Sequence, residues 1–325
     1  MKKNMSTEIV STIKNSLPIN ESIGSFLMDL FCWSKESMYR RLRGEIPFTY
    51  EEIVVIALKL DFSIDSLIGM RDSERALFDL ILHKSTEPED IYYEKIQMLT
   101  QFLEEVRESD SQNALLALNY IPYFFSMYLE FFPRFIYYKW LHQAEYIAPD
   151  CKMEEVSLPE KIINLRNYWD EKKTENSRGI LILDRDIFVS ALRDIDYFYR
   201  RNLINTEELQ QLKADLLSLI DYLDYFTREE ELRVGAKIEI YLSSINIPTS
   251  YSCFEYGGNT CCHIQIYGMD ILMSHYPEAY LIQKQWIEQL KRYSTLITKS
   301  NEIERFEYFK QQRAYIQLLG EESYS

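Results

Sequence analysis

Glycine and proline are scarce, nine of each in 325 residues, which argues against a loop-rich or many-turned β architecture. Cysteine is scarce too. The five thiols, Cys32, Cys151, Cys253, Cys261 and Cys262, are an odd number in a long chain, and no apolar h-region follows Met1-Lys2-Lys3. A reducing cytoplasm is the compartment this predicts. Positive charge is in deficit: 36 Lys and Arg face 51 Asp and Glu, net -15. Such a surface cannot coat nucleic acid over its whole extent, so any DNA contact must come from a local patch. Long uninterrupted apolar runs are missing as well. Residues 118–140 carry eleven aromatics, yet Pro122, Glu130, Pro133 and Arg134 break them, so the segment reads as buried helix and no membrane contact is expected.

Aromatic side chains are abundant, with 25 Tyr, 17 Phe and 4 Trp in a chain that is 46% hydrophobic. That load excludes disorder, and the length suits about two domains. The acidity is unevenly spread: residues 1–70 are net -1, leaving -14 for residues 71–325.

In residues 1–70 helical signals are short and close together. Asn20 can cap a helix whose apolar positions Ile23, Phe26, Leu27, Leu30 and Phe31 share one face. Ser34 can cap a second, with Met38 and Leu42 one turn apart and only Cys32-Trp33 between the two helices. Thr49 and Glu52 have capping-box spacing before the apolar run from Ile53 to Leu60, and Ser63 can cap a last short helix, 64–68, ended by Gly69. With about 100° per residue, Met38 and Leu42 define the buried face of the second helix. Glu36, Ser37, Arg40 and Arg43 then point away from it. Lys35 lies in the first turn and Arg41 on the flank, where a phosphate contact suits it better than a base edge. Arg can grip guanine with its planar fork, and Glu can accept from cytosine. Lys35, Arg40, Arg41 and Arg43 are the one dense basic cluster of an acidic chain.

The stretches 20–27, 33–44 and 62–69 resemble the Cro and lambda-repressor helix-turn-helix family, over about 50 residues. Glu21 or Ser22 stands where that family often has Gln, and the bulky Cys32-Trp33 where it often has a small turn residue. The resemblance implies a five-helix DNA-binding domain in which Ser34, Lys35, Glu36, Ser37, Arg40 and Arg43 occupy recognition-helix positions, with Arg41 beside them. It also implies binding to double-stranded DNA through residues 34–43, as a homodimer on paired half-sites.

Beyond residue 70 the pattern is mainly helical. Tyr92, Ile96, Leu99, Leu103 and Val106 form a seam of about two heptads, which suits either packing on its own chain or a dimer contact within a linking segment, 71–110. Further helices are expected near 111–147, 156–174, 184–202, 205–230 and 277–320. Residues 236–267 alternate around Gly257-Gly258 and predict a hairpin, or a small antiparallel sheet, in which Cys253 faces Cys262. The expected fold is thus mainly α: a helix-turn-helix domain at 1–70, then a large helical regulatory domain at 111–325 with a small β insertion.

Catalytic motifs are missing. The four histidines have no i, i+4 pairing, and there is no phosphate loop, nucleophile elbow or His-Glu-x-x-His. Cys261 and Cys262 are adjacent on a strand and so face opposite ways, which favours buried thiols over a metal clip or a redox pair. Asp184, Asp186, Asp194 and Asp196 read as solvated charge, and the aromatic block at 118–140 as core or as the lining of a ligand pocket. No enzyme, cofactor or metal is expected. The composite reading is a cytoplasmic DNA-binding transcriptional regulator whose C-terminal part dimerises or senses a small-molecule or peptide effector. The alternative is an adaptor whose helix-turn-helix no longer binds DNA.

Overall fold

In a computed structural model the described residues are 5–17, 22–60, 62, 64, 76–82, 85–109, 112–170, 178–228 and 237–321. They form two compact units, Met1–Leu77 and Phe78–Ser325.

The first unit contains helices α1 (Met5–Ser16), α2 (Ile23–Phe31), α3 (Lys35–Leu42) and α4 (Tyr50–Leu60). The cap of α2 is Ser22, whose hydroxyl accepts from the Ser25 amide at 3.1 Å. Asn20, the cap read from the sequence, lies outside the described residues, as does the fifth helix apart from Ile64. Helix α2 stops because Cys32 adopts a left-handed conformation, φ 54°. Trp33 and Ser34 complete the turn, and Ser34 caps α3 by accepting from the Ser37 amide at 3.3 Å. At the other end of α3, Gly44 has φ 74°. Its N–H donates to Arg41 O at 2.9 Å and that of Glu45 to Arg40 O at 2.8 Å, the paired bonds of a Schellman ending. Thr49 and Glu52 form the expected reciprocal box before α4. Ile9, Ile13, Phe26, Leu27, Met38, Phe48 and Ile56 are the core. A Cβ on Gly24 would sit 3.1 Å from Met38 Cε, so this glycine lets α2 approach α3.

The second unit overturns the expectation of a mainly helical protein with a small β insertion. It is built on an eight-stranded mixed sheet in the order β1-β7-β6-β5-β2-β3-β4-β8. The strands are β1 (Asp79–Leu80), β2 (Gln112–Leu118), β3 (Arg178–Leu183), β4 (Lys237–Ser243), β5 (Tyr251–Tyr256), β6 (Asn259–Tyr267), β7 (Asp270–Ser274) and β8 (Ser294–Leu296). β2, β3 and β4 run parallel and every other pairing is antiparallel. The helices are α5 (Pro88–Glu108), α6 (Tyr123–Ser126), α7 (Phe131–Gln143), α8 (Glu160–Asp170), α9 (Ile187–Arg200), α10 (Thr206–Arg228), α11 (Pro277–Leu290) and α12 (Glu302–Leu318).

Residues 112–118, expected to open a long helix, form β2 at the centre of the sheet, and β8 interrupts the helix expected over 277–320. The physical reason is burial on both faces. Leu116, Leu118, Leu181, Leu183, Ile240 and Leu242 point into one core, shared with α5, α7–α10 and α12. Leu115, Ala117, Ile182 and Tyr241 point into the other, covered by α11 through Ala279, Tyr280, Ile287 and Leu290. Strands apolar on both sides carry no two-residue alternation. The hairpin does form where the sequence indicated: Gly257 and Gly258, φ 53° and 84°, make its turn and Cys253 pairs with Cys262. The heptad seam is turned inward, with Tyr92 and Ile96 buried and Leu99 and Leu103 packed on the same core. Among the described residues no helix is long and apolar enough to cross a membrane.

Candidate nucleic-acid interface

Ser34, Lys35, Glu36, Tyr39, Arg40 and Arg43 are exposed on α3 and its ends, while Met38 is buried beneath them. This face joins five of the residues singled out from the sequence. It also includes Tyr39, 52% exposed, which the helical wheel left unmarked. Tyr39 lies one turn from both Lys35 and Arg43, so the three share a stripe. A large aromatic left open between two cations was the sequence signal for it.

Arg41 is engaged within its own unit. Its guanidinium makes a forked pair with Glu52, Nη2 to Oε1 at 2.8 Å and Nε to Oε2 at 3.3 Å. Nη1 donates to Ser37 Oγ at 2.8 Å, and the group lies 4.1 Å over the Trp33 ring. Only 13% of the Arg41 side chain and 14% of that of Glu52 are exposed. Arg41 therefore fastens α3 to α4. Ser37 is half-buried as its partner, so both residues belong to the scaffold of the face. Trp33, in a position where the resembled family often has a small residue, supplies the ring that Arg41 covers, and it stacks on Phe31 with centroids 4.5 Å apart.

A second feature comes from the Schellman ending. By turning the chain back at Gly44, it brings the Glu45 carboxylate between two arginines: Arg43 Nε at 2.6 Å and Arg40 Nε at 3.4 Å. The hydrogen bond from Arg43 holds the Glu45 carboxyl below the usual carboxylate range, and the same bond raises Arg43. Both forks are thus arranged by an acid of their own chain before any ligand arrives. Both remain at the surface, and both are planar donors suited to guanine edges or phosphate oxygens.

The other candidates fall elsewhere. Cys253, Cys261 and Cys262 are fully buried, and burial pushes their thiols up, Cys261 to about 12 and Cys262 to about 11. A thiol held protonated is a poor nucleophile and a poor ligand. Among the described residues no group of three or more His, Cys, Asp or Glu side chains is placed to hold a metal. Asp184, read as solvated, is buried and accepts from the Asp186 amide at 2.8 Å and the Ile247 amide at 2.7 Å. It fixes the chain leaving β3 and is spent on structure. Asp194 pairs with Lys139 at 2.7 Å and Asp196 with Arg200 at 2.6 Å. No protein-family model, curated protein or solved structure matches the chain.

Proposed function

We propose that the chain is a sequence-specific DNA-binding transcriptional regulator of the Cro and lambda-repressor type, acting in the cytoplasm as a homodimer. On this reading α3 enters the major groove, and the second unit supplies dimerisation, effector sensing or both. One observation carries it: a capped, Schellman-ended helix, joined to α2 by a three-residue turn, buries Met38 and exposes Arg40 and Arg43 on the far side, with Lys35 exposed in its first turn. Arg40 and Arg43 read base edges, Lys35 and the amides at the start of α3 hold phosphate, and Glu36 is free to accept from cytosine. The acidic second unit repels phosphate and confines contact to this face.

The test is enrichment of sequences from a random duplex library by the full chain, with an Arg40→Ala, Arg43→Ala variant alongside. The expected result is a recurring site, arranged as two half-sites about 34 Å apart, whose binding weakens with salt and is lost in the variant. No enrichment, or unchanged binding by the variant, would sink the proposal. The adaptor reading draws on one observation of its own, the Glu45 carboxylate already seated on both arginines. It predicts that no site is enriched while the fold of the first unit is intact.

A further inference from the structure

A cavity of about 250 Å³ lies in the second unit between the sheet and helices α5 and α7, with Ser190, Ala191 and Asp194 of α9 on one side. Its apolar walls include Tyr120, Phe135 and Trp140 of the aromatic block together with Met98 and Phe102 of α5 and Phe254 of β5. A dry cavity of about 150 Å³ accepts benzene, so this one has room for roughly ten non-hydrogen atoms. That is compact beside ligand pockets of about 300–1,000 Å³.

The charges on the wall cancel. Lys95 is paired with Asp270, and only 8% of the lysine side chain is exposed. Lys139 is paired with Asp194 at 2.7 Å. His263, buried at the same wall, is held neutral, since burial lowers its imidazole to about 4. A charged ligand would enter an apolar space with its counter-charges already taken, and a desolvated, unpaired charge is strongly disfavoured. Polar handles are nevertheless present. Tyr120 Oη donates to Gln265 Oε1 at 2.9 Å, and both side chains belong to the wall.

We propose that this cavity is a binding site for a compact, uncharged, mostly apolar molecule of about ten non-hydrogen atoms, the effector class of the regulatory unit. As an effector site it rests on the regulator reading above, but the binding step is measured without DNA. Three probes share one ring system: 2-naphthol, uncharged at pH 7, 2-naphthoate, an anion, and 2-naphthylmethylammonium, a cation. Each is titrated into the full chain by calorimetry and by thermal shift.

The expected result is saturable one-to-one binding of 2-naphthol with a raised melting temperature, and at least tenfold weaker binding of both charged probes. An Ala191→Phe variant, which fills the cavity from α9, should bind 2-naphthol at least tenfold more weakly. Absence of saturable 2-naphthol binding to the folded chain overturns the proposal. So does equal binding of either ion, or undiminished binding by a folded Ala191→Phe chain. If that variant does not fold, judged by circular dichroism, the three probes on the unaltered chain decide. A chain that binds 2-naphthol and no DNA refutes the regulator reading alone, whereas one that binds DNA and no probe refutes this one alone.

Discussion

Replacing Arg41 with alanine separates scaffold from contact on α3. The guanidinium makes two bonds to the Glu52 carboxylate and one to Ser37, and it covers Trp33. Hydrogen bonds to a charged partner contribute about 1.5–3 kcal/mol, and a cation over an aromatic face adds about 0.5–1 kcal/mol. Glu52 keeps its bond from the Thr49 amide, which limits the cost of leaving it behind. The expected destabilisation is therefore about 2–4 kcal/mol. Hydrogen exchange on the full chain, read in peptides from residues 23–31 and 50–60, turns that into roughly 30- to 900-fold faster exchange of the core amides. Arg41→Lys keeps the charge but loses the fork, and should fall between the two. Arg40, whose side chain is 47% exposed, is the control: Arg40→Ala should change stability by no more than about 0.5 kcal/mol, or roughly twofold in exchange. If Arg41→Ala moves exchange no more than Arg40→Ala, the assignment of Arg41 to the scaffold is wrong.

Three other outcomes are expected. Glu45→Gln releases Arg40 and Arg43, so affinity for random duplex DNA should rise several-fold at low salt, with the gain shrinking as salt is added; fluorescence anisotropy showing equal or weaker binding would count against the regulator reading. A Cβ on Gly179 would stand 2.4 Å from the Ala114 carbonyl oxygen on the neighbouring strand. Gly179→Ala should cost about 2–3 kcal/mol and lower the urea midpoint of the second unit, and an unchanged midpoint would show that β2 and β3 can part cheaply. Folded His263 titrates near 4, chiefly through burial and then through His275, whereas an unfolded histidine titrates near 6.5. Between those values the unfolded chain binds a proton that the folded chain does not. Stability should be fully present above pH 6.5 and decline by about 3 kcal/mol as pH falls to 4. His263→Gln should flatten that decline, and an equally steep decline in the variant would assign it to other groups.

The legible parts of the fold were those whose local signals agree with their tertiary role. Helices α2 to α4 carry a polar face, an apolar face and side-chain caps, so their spacing announces them. The hairpin does the same through two glycines set between alternating strands. Strand β2 gives no such signal: Ala114-Leu115-Leu116-Ala117-Leu118 is made of good helix formers, and its apolar side chains pack into a core on each face. In β3, Ile180-Leu181-Ile182-Leu183 is a short apolar run that periodicity alone cannot assign. At the candidate interface the exposed cations were readable from the wheel. The difference between Arg41 and its neighbours was not, since it depends on Glu52 of α4 and on where Gly44 turns Glu45.

The sheet finishes at both sides in very short strands, two residues in β1 and three in β8. An edge that brief offers a neighbour few unpaired amides and carbonyls, which is how β proteins blunt strand-to-strand joining. A second copy that paired with β1 or β8 itself would find a template of only two or three residues. Where β1 and β8 run, the two margins thus serve as stops to strand pairing between copies.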